Sequence, residues 1–242
     1  MTFSILHPTA RVPTIWQEAS LAWRGSCLAP NNCEYILGVH ERQRELPATE
    51  PIGSLEVAKE YIRSRLREWP NYALVVNEGE PNLVNNTNCC AAVADGKILL
   101  YIGDDLFPCA SWDWRILEFL RDRNIPLDSQ FVIKAVVGLS RPGAEFAEYH
   151  RGLITHPIIS RAYQRRIGPI PSGYLGYGFD DEWTERAYRD GVVLEAPHII
   201  FEHKHWSNGG RKEDAIDKHN GRQEAWDAKH KTLAARRLEG FR

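Results

Sequence analysis

The stretch Lys97 to Asp113, KILLYIGDDLFPCASWD, carries an apolar run from Ile98 to Ile102 directly into Gly103-Asp104-Asp105. A short apolar run bounded by turn residues reads as a buried strand. Two adjacent carboxylates at the end of a strand suit a divalent cation such as Mg²⁺ or Mn²⁺, which in turn neutralises a diphosphate. The same pair also suits turn and capping roles, so the motif gains meaning only from what surrounds it.

Working outward towards the N-terminus, strands alternate with helices. Phe3 to Leu6 reads as a first strand closing on His7-Pro8-Thr9, and Thr14 to Arg24 has helical spacing of apolar residues. Glu34 to Val39 is a second strand, Ser54 to Trp69 a helix, Tyr72 to Val76 a third strand, and Asn88 to Asp95 a helix leading back to Lys97. This alternation predicts an α/β fold built on an open, mostly parallel central sheet with flanking helices. Ligands of such sheets gather at the carboxyl ends of the strands, where Thr9, His40, Asn77 and Asp105 stand in this reading. Beyond residue 130 a strand is expected over Phe131 to Gly138, helices over Ser160 to Ile167 and Asp180 to Asp190, and one or two strands over Val192 to Phe201.

Composition sets the limits. The chain has 242 residues, 43% apolar and 26% charged, with a formal net charge of −2, which is ordinary for a globular protein and no signature of polyanion binding. No apolar run is long enough to cross a bilayer, and the start MTFSILHPTAR lacks the features of a secretory leader, so a cytoplasmic location is expected. Five cysteines without a Cys-x-x-Cys spacing are expected to be buried free thiols. The absence of glycine from HPTARVP excludes a Rossmann dinucleotide fingerprint and a glycine-rich phosphate loop at the first strand.

Two further clusters can carry chemistry. In GYGFDDEWTERAYRDG the acids Asp180, Asp181 and Glu182 open a helix, where they complement its dipole or, alternatively, offer one carboxylate as a general base. In FEHKHW, His203 and His205 alternate after an apolar strand and so share one face, an arrangement open to metal ligation. Trp112, Trp114 and Trp183 are candidates to stack on a sugar or base, although tryptophans near a core more often pack.

Taken together, the order and register of these motifs resemble the family-2-like glycosyltransferases of the GT-A type over residues 3 to 205. The opening strand ends in Pro8-Thr9; Asn88, Ala94 and Gly96 precede the metal-binding strand; Gly103, Asp104 and Asp105 occupy the Asp-x-Asp register, with Pro108 three residues on. Phe179, Asp180, Glu182, Trp183, Arg186 and Gly191 follow the later acidic motif, and His203 closes the final strand. The resemblance implies a nucleotide-binding half over 1–108, an acceptor half over 109–205, and a polar, partly helical tail over 206–242.

It further implies transfer of a sugar, with inversion, from a nucleotide-sugar donor, expected to be a UDP-sugar, assisted by Mn²⁺ or Mg²⁺. Asp105 and His203 would hold the metal and Asp180 would be the base. Pro8, Thr9, Arg11, His40, Asn88 and Asp104 would line the donor, and Trp112, Glu182, Trp183 and His205 the acceptor side. Three positions depart from the pattern: Gly103 lacks the first acid, His40 stands where an acid often meets the base, and Phe179 replaces an acid.

The acceptor has several readings. Small stand-alone transferases of phage-like genomes share the Asp-Asp-x-Phe-Pro, Thr-His-Pro and His-x-His variants, which points to 5-hydroxymethylcytosine in DNA and to a host cytoplasm. In that case tail cations including Arg211, Lys229, Arg236 and Arg237 would meet phosphates. A saccharide or lipid-linked acceptor, or a degenerate module that binds nucleotide or glycan without turnover, are the alternatives.

Overall fold

The computed structural model describes residues 1–11, 13–40, 55–139, 152–176, 178–206, 210–214, 217–218 and 222–241. The expected helix start at Ser54 lies outside these residues. The described elements in chain order are β1 (Phe3–Pro8), α1 (Pro13–Gly25), β2 (Cys33–His40), α2 (Leu55–Leu66), β3 (Tyr72–Asn77), α3 (Leu83–Val93), β4 (Ile98–Tyr101) and β5 (Leu106–Phe107). They continue with α4 (Trp112–Asp122), β6 (Val132–Leu139), β7 (Ile158–Ser160), α5 (Arg161–Ile167), α6 (Phe179–Arg189), β8 (Val193–His203) and α7 (Gln223–Leu238).

The strands form one sheet in the order β3-β2-β1-β4-β7-β6-β8-β5. β3, β2, β1 and β4 pair in parallel, and β6 pairs in parallel with β8, while β7 and β5 run against their neighbours. Side chains alternate between two cores, as the period of two requires. Phe3, Ile5, Tyr35, Leu37, Ile98 and Leu100 face one apolar cluster with α1, α2 and α4. Leu6, Ile36, Leu99 and Tyr101 face the other, with α3, α5 and α6. Burial on both faces explains why these strands read as continuous apolar runs.

The strand order reverses between β1 and β4: the chain moves from β1 outward to β2 and β3, then returns to the far side of β1. In open α/β sheets the crevice above the carboxyl ends of the strands at such a switch point is where ligands gather. Close approach of α3 to the sheet depends on Gly38, where a Cβ would stand 2.9 Å from the Asn86 carbonyl oxygen and 2.5 Å from Cys90 Sγ.

The tail is part of this core. Leu233 of α7 and Phe241 are buried in the same cluster as Leu6 and Trp183. Glu182, fully buried on α6, accepts hydrogen bonds from Tyr174 Oη (3.0 Å), Arg186 Nη1 (3.1 Å) and Arg236 Nη2 of α7 (3.0 Å). Removing one partner of a buried charge network leaves the others uncompensated, which costs about 3–5 kcal/mol. Glu182→Ala is therefore expected to lower the thermal midpoint steeply, with Glu182→Gln intermediate; a midpoint within a degree of wild type for Glu182→Ala would contradict this pinning role.

Candidate active site at the carboxyl ends of the central strands

The crevice is furnished from three directions. From β1, Thr9 is buried, its Oγ1 accepts from the Arg11 N–H at 3.0 Å, and this turn swings Arg11 back over the strand ends. From β4, Asp104 and Asp105 follow within a few residues. From the other side, β8 is re-aimed by a break in its register with β6: Ala135 pairs with Ala196, but Val136 pairs with Ile200. The unpaired stretch Pro197–Ile199 includes a proline, which has no N–H to give to the ladder. Beyond it β8 pairs with β5, Leu106 opposite His203, and the Lys204 N–H donates to the Asp105 carbonyl at 2.8 Å. His203 therefore meets Asp105 through strand pairing.

Asp104 is held from two sides. His7 Nε2 lies 2.9 Å from Asp104 Oδ1, and Arg11 Nη1 donates to Oδ2 at 2.9 Å. The other nitrogen of His7 is bonded to the Tyr35 hydroxyl in the core. Burial raises the Asp104 carboxyl pKa, but His7 and Arg11 together outweigh it and hold the group below the usual carboxylate range. Asp104 therefore acts on Arg11, fixing its guanidinium over the crevice.

Asp105 has a different set of neighbours. His203 Nε2 stands 3.6 Å from Oδ1, and Arg211 Nη2 lies 3.4 Å from Oδ2. Burial again opposes ionisation, yet His203, His156 and Arg211 hold the carboxyl well below its ordinary range. Two more imidazoles surround His203: His156 with ring centres 5.0 Å apart and His205 at 5.2 Å. Burial, reinforced by His203, pushes the His156 pKa down to about 3, so this ring is neutral near pH 7. A Cβ built on Gly103 would lie 3.1 Å from Asp105 Oδ1 and 3.8 Å from His156 Nε2. The side of the site where the first acid would project is thus faced by an imidazole.

The donor chemistry fits a divalent cation. Two atoms bound at about 2.1 Å to one ion stand about 3.0–3.6 Å apart for angles of 90–120°, and Asp105 Oδ1 and His203 Nε2 have that spacing at 3.6 Å. Asp104, Asp105, Asp214 and Asp217 face the two guanidiniums of Arg11 and Arg211, leaving two negative charges in excess before the imidazoles are counted. A divalent cation matches that excess. Among the described residues, however, no three such side chains are yet closed around one point.

Other expected site residues are placed elsewhere or committed to packing. Both ends of the Asn88 amide are bonded to the backbone of Ile170, at 2.8 and 2.9 Å, so Asn88 ties α3 to the 168–171 segment. Trp112 is fully buried among Phe3 and Trp23 and donates its indole N–H to the Trp23 carbonyl. Trp183, 5% exposed, packs edge-on against Tyr101. Glu182 is consumed in the network described above. All three side chains are buried and engaged in packing or ion pairing. Pro8 pairs with Gly38 inside the sheet, and His40, buried at the end of β2, donates from Nε2 to the Gly79 carbonyl at 2.7 Å.

Asp180 differs from its neighbours. It is half-buried in the first turn of α6, where its Oδ1 accepts from the Gly178 N–H at 3.0 Å. Burial first, and the adjacent Asp181 second, push its carboxyl up to about 6 against the opposing charge of Lys229. On the same helix Trp183 touches Tyr101 and Thr184 Oγ1 accepts from the Ile154 N–H at 2.9 Å. These contacts set the amino end of α6 beside the carboxyl end of β4.

With this geometry in place, the chain superposes on the crystal structure of S. aureus TarS with a TM-score of 0.60 at 13% sequence identity, covering 84% of this chain and 36% of that one. The fold is of the GT-A type. The S. aureus TarS 1-349 structures in complex with UDP (TM-score 0.59, 12% identity) and with UDP-GlcNAc (0.58, 12%) are matched over 84% of this chain, and 60% and 58% of theirs. The chain therefore spans about a third to three fifths of the length of these proteins. Neither a protein-family model nor a curated protein sequence matches it.

Sequence reasoning gave Thr9, Arg11 and Asp104 to the donor, Asp105 and His203 to a metal and His205 to the acceptor side, residues that the fold brings to the same strand ends. It did not anticipate His7, His156, Asp214 or Asp217. The Thr155-His156-Pro157 tripeptide was the one local signal among them; the others are recognised by pairings across more than ninety residues. No helix among the described residues is long and apolar enough to cross a membrane.

Proposed function

We propose that the chain is a divalent-metal-dependent, inverting glycosyltransferase that takes its sugar from a nucleotide-diphosphate donor, with UDP-sugars the first candidates. The observation that carries this reading is the convergence of Asp105 and His203 at the switch point of a fold shared with structures holding UDP and UDP-GlcNAc. Asp105 and His203 would hold the ion, which when bound supplies Lewis-acid stabilisation of the departing nucleoside diphosphate. Arg11, fixed by Asp104, adds positive charge to the same phosphates. Asp180 accepts the proton of the acceptor hydroxyl as that oxygen bonds to the anomeric carbon. The bond from that carbon to the phosphate oxygen breaks, and its electron pair leaves with the diphosphate.

The acceptor we favour is a saccharide or lipid-linked hydroxyl. Lys229 pairs with Asp181 at 2.7 Å, Arg236 with Glu182, and Arg237 with Glu185, so tail cations that would meet DNA phosphates are engaged with α6. Incubation with UDP-glucose or UDP-GlcNAc, Mn²⁺ and separate acceptor pools should give a hexose-type mass gain on a saccharide acceptor. A gain confined to duplex containing 5-hydroxymethylcytosine would overturn the acceptor assignment and restore modified DNA. UDP-sugars left intact with every acceptor would favour a module that binds without turnover.

A further inference from the structure

Two aspartates of the tail occupy both arginines of the crevice. Asp214 Oδ2 accepts from Arg11 Nε at 2.8 Å, and Asp217 Oδ1 accepts from Arg11 Nη2 and from Arg211 Nη2, each at 2.7 Å. Asp217 Oδ2 accepts from Arg211 Nη1. The two acids also hold each other in place: the Asp214 N–H donates to Asp217 Oδ2, and the Asp217 N–H donates to Asp214 Oδ1, both at 2.9 Å. Asp217 is only 7% exposed. A carboxylate buried between two guanidiniums occupies a built anion site, unlike a solvated surface pair.

The location of that site gives it meaning. Arg11 is held over β1 by Asp104, and Arg211 leans on Asp105, so the guanidiniums flank the two acids that follow β4. Guanidinium forks bind carboxylate and phosphate oxygens with the same planar geometry. The diphosphate of a nucleotide-sugar carries two formal negative charges, and so does the Asp214–Asp217 pair. Exchanging one for the other leaves both arginines compensated.

We propose that Arg11 and Arg211 are the diphosphate-binding pair of the donor site, and that Asp214 and Asp217 are an internal carboxylate stand-in that the donor displaces. This rests on the donor reading given above. The stand-in sets a threshold: apparent donor affinity is the intrinsic affinity reduced by the fraction of molecules in which the arginines are open. It also predicts a ligand that discriminates, because a nucleoside without phosphates does not compete with the aspartates.

Calorimetric titration of UDP and of uridine, in Mn²⁺, into the full chain and its variants tests this. Asp214→Asn/Asp217→Asn is expected to bind UDP at least about fivefold more tightly than wild type, and Arg211→Ala at least about tenfold more weakly, with uridine unchanged in both. Should the double variant not fold, Asp217→Asn alone keeps the shape and carries the same expectation of tighter UDP binding. UDP affinity that is unchanged or weakened by loss of the aspartates overturns the stand-in while wild-type UDP binding keeps the donor reading. UDP and uridine shifting in parallel also overturns it. No UDP binding by wild type removes the donor reading and this inference together.

Discussion

Asp105→Ala is expected to lower sugar transfer by about 10³-fold or more and to lower the thermal midpoint, because its neighbours hold the carboxyl ionised in the fold, with the chain still folded at the assay temperature. The magnitude follows from what the residue holds: a cation stabilising a leaving diphosphate is worth several kcal/mol in the transition state. Asp105 is a carboxylate that follows β4, with its Oδ1 3.6 Å from His203 Nε2. Loss of its charge removes a partner of His203 and of Arg211, while Arg211 keeps Asp217. Steady-state release of UDP, measured beside a melting curve, checks both halves. A variant within threefold of wild type would mean that the Asp105–His203 pair serves the fold alone. Chelation of the wild type should reproduce the loss, and added Mn²⁺ should restore it.

Asp180→Asn is expected to lower turnover by about 10²–10⁴-fold, the usual contribution of a general base, while leaving UDP affinity within about twofold. The wild-type rate should rise with pH through about 6, because only the ionised carboxylate accepts a proton and burial has pushed the group up to about 6. Stability should move in the opposite direction. A carboxyl whose pKa is raised in the folded state binds its proton more tightly there than in the unfolded chain, so its ionisation opposes folding. That penalty is absent below the unfolded value and fully present above about pH 6. At pH 8 the asparagine variant should therefore melt at or above the wild-type temperature. A variant that is both slow and unstable would point to a structural acid instead of a base.

In the parallel half of the sheet β1, β2 and β4 were legible because they are buried almost throughout, and the half-buried edge strand β3 because turn residues punctuate it. Phe3 to Leu6, Glu34 to Val39, Tyr72 to Val76 and Lys97 to Ile102 all lie on observed strands, to within a residue or two. The helix expected from Asn88 begins five residues earlier, at Leu83. Its asparagine-rich opening resembles a loop, but Asn82 caps it by accepting from the Asn85 N–H at 2.8 Å. α4 was not foreseen, although Ile116, Phe119 and Leu120 repeat at helical spacing; it starts from Ser111 at a left-handed φ of 57° without a side-chain cap. β5 and β7 have two and three residues, too few to display a period.

The geometry of the site was legible where a residue's placement follows from a strand end, as for Thr9, Asp105 and His203. It misled where the same residue type has two uses. Asn88 and Glu182 occupy expected motif positions yet spend their polar atoms on Ile170 and on Arg186 with Arg236. Local sequence does not separate a carboxylate facing a crevice from one facing an arginine brought in by the tail. Arg11 and Asp217 are 206 positions apart, and only folding brings them to 2.7 Å.

The central claim is tested most directly by UDP release from a panel of UDP-sugars by the purified chain in Mn²⁺, with Asp180→Asn as the matched control. The account predicts turnover of at least one donor, lost in chelator and lowered by about 10²-fold or more in Asp180→Asn, with UDP still bound by the variant. Equal release by wild type and Asp180→Asn, or none from any donor in the presence of saccharide acceptors, would contradict it.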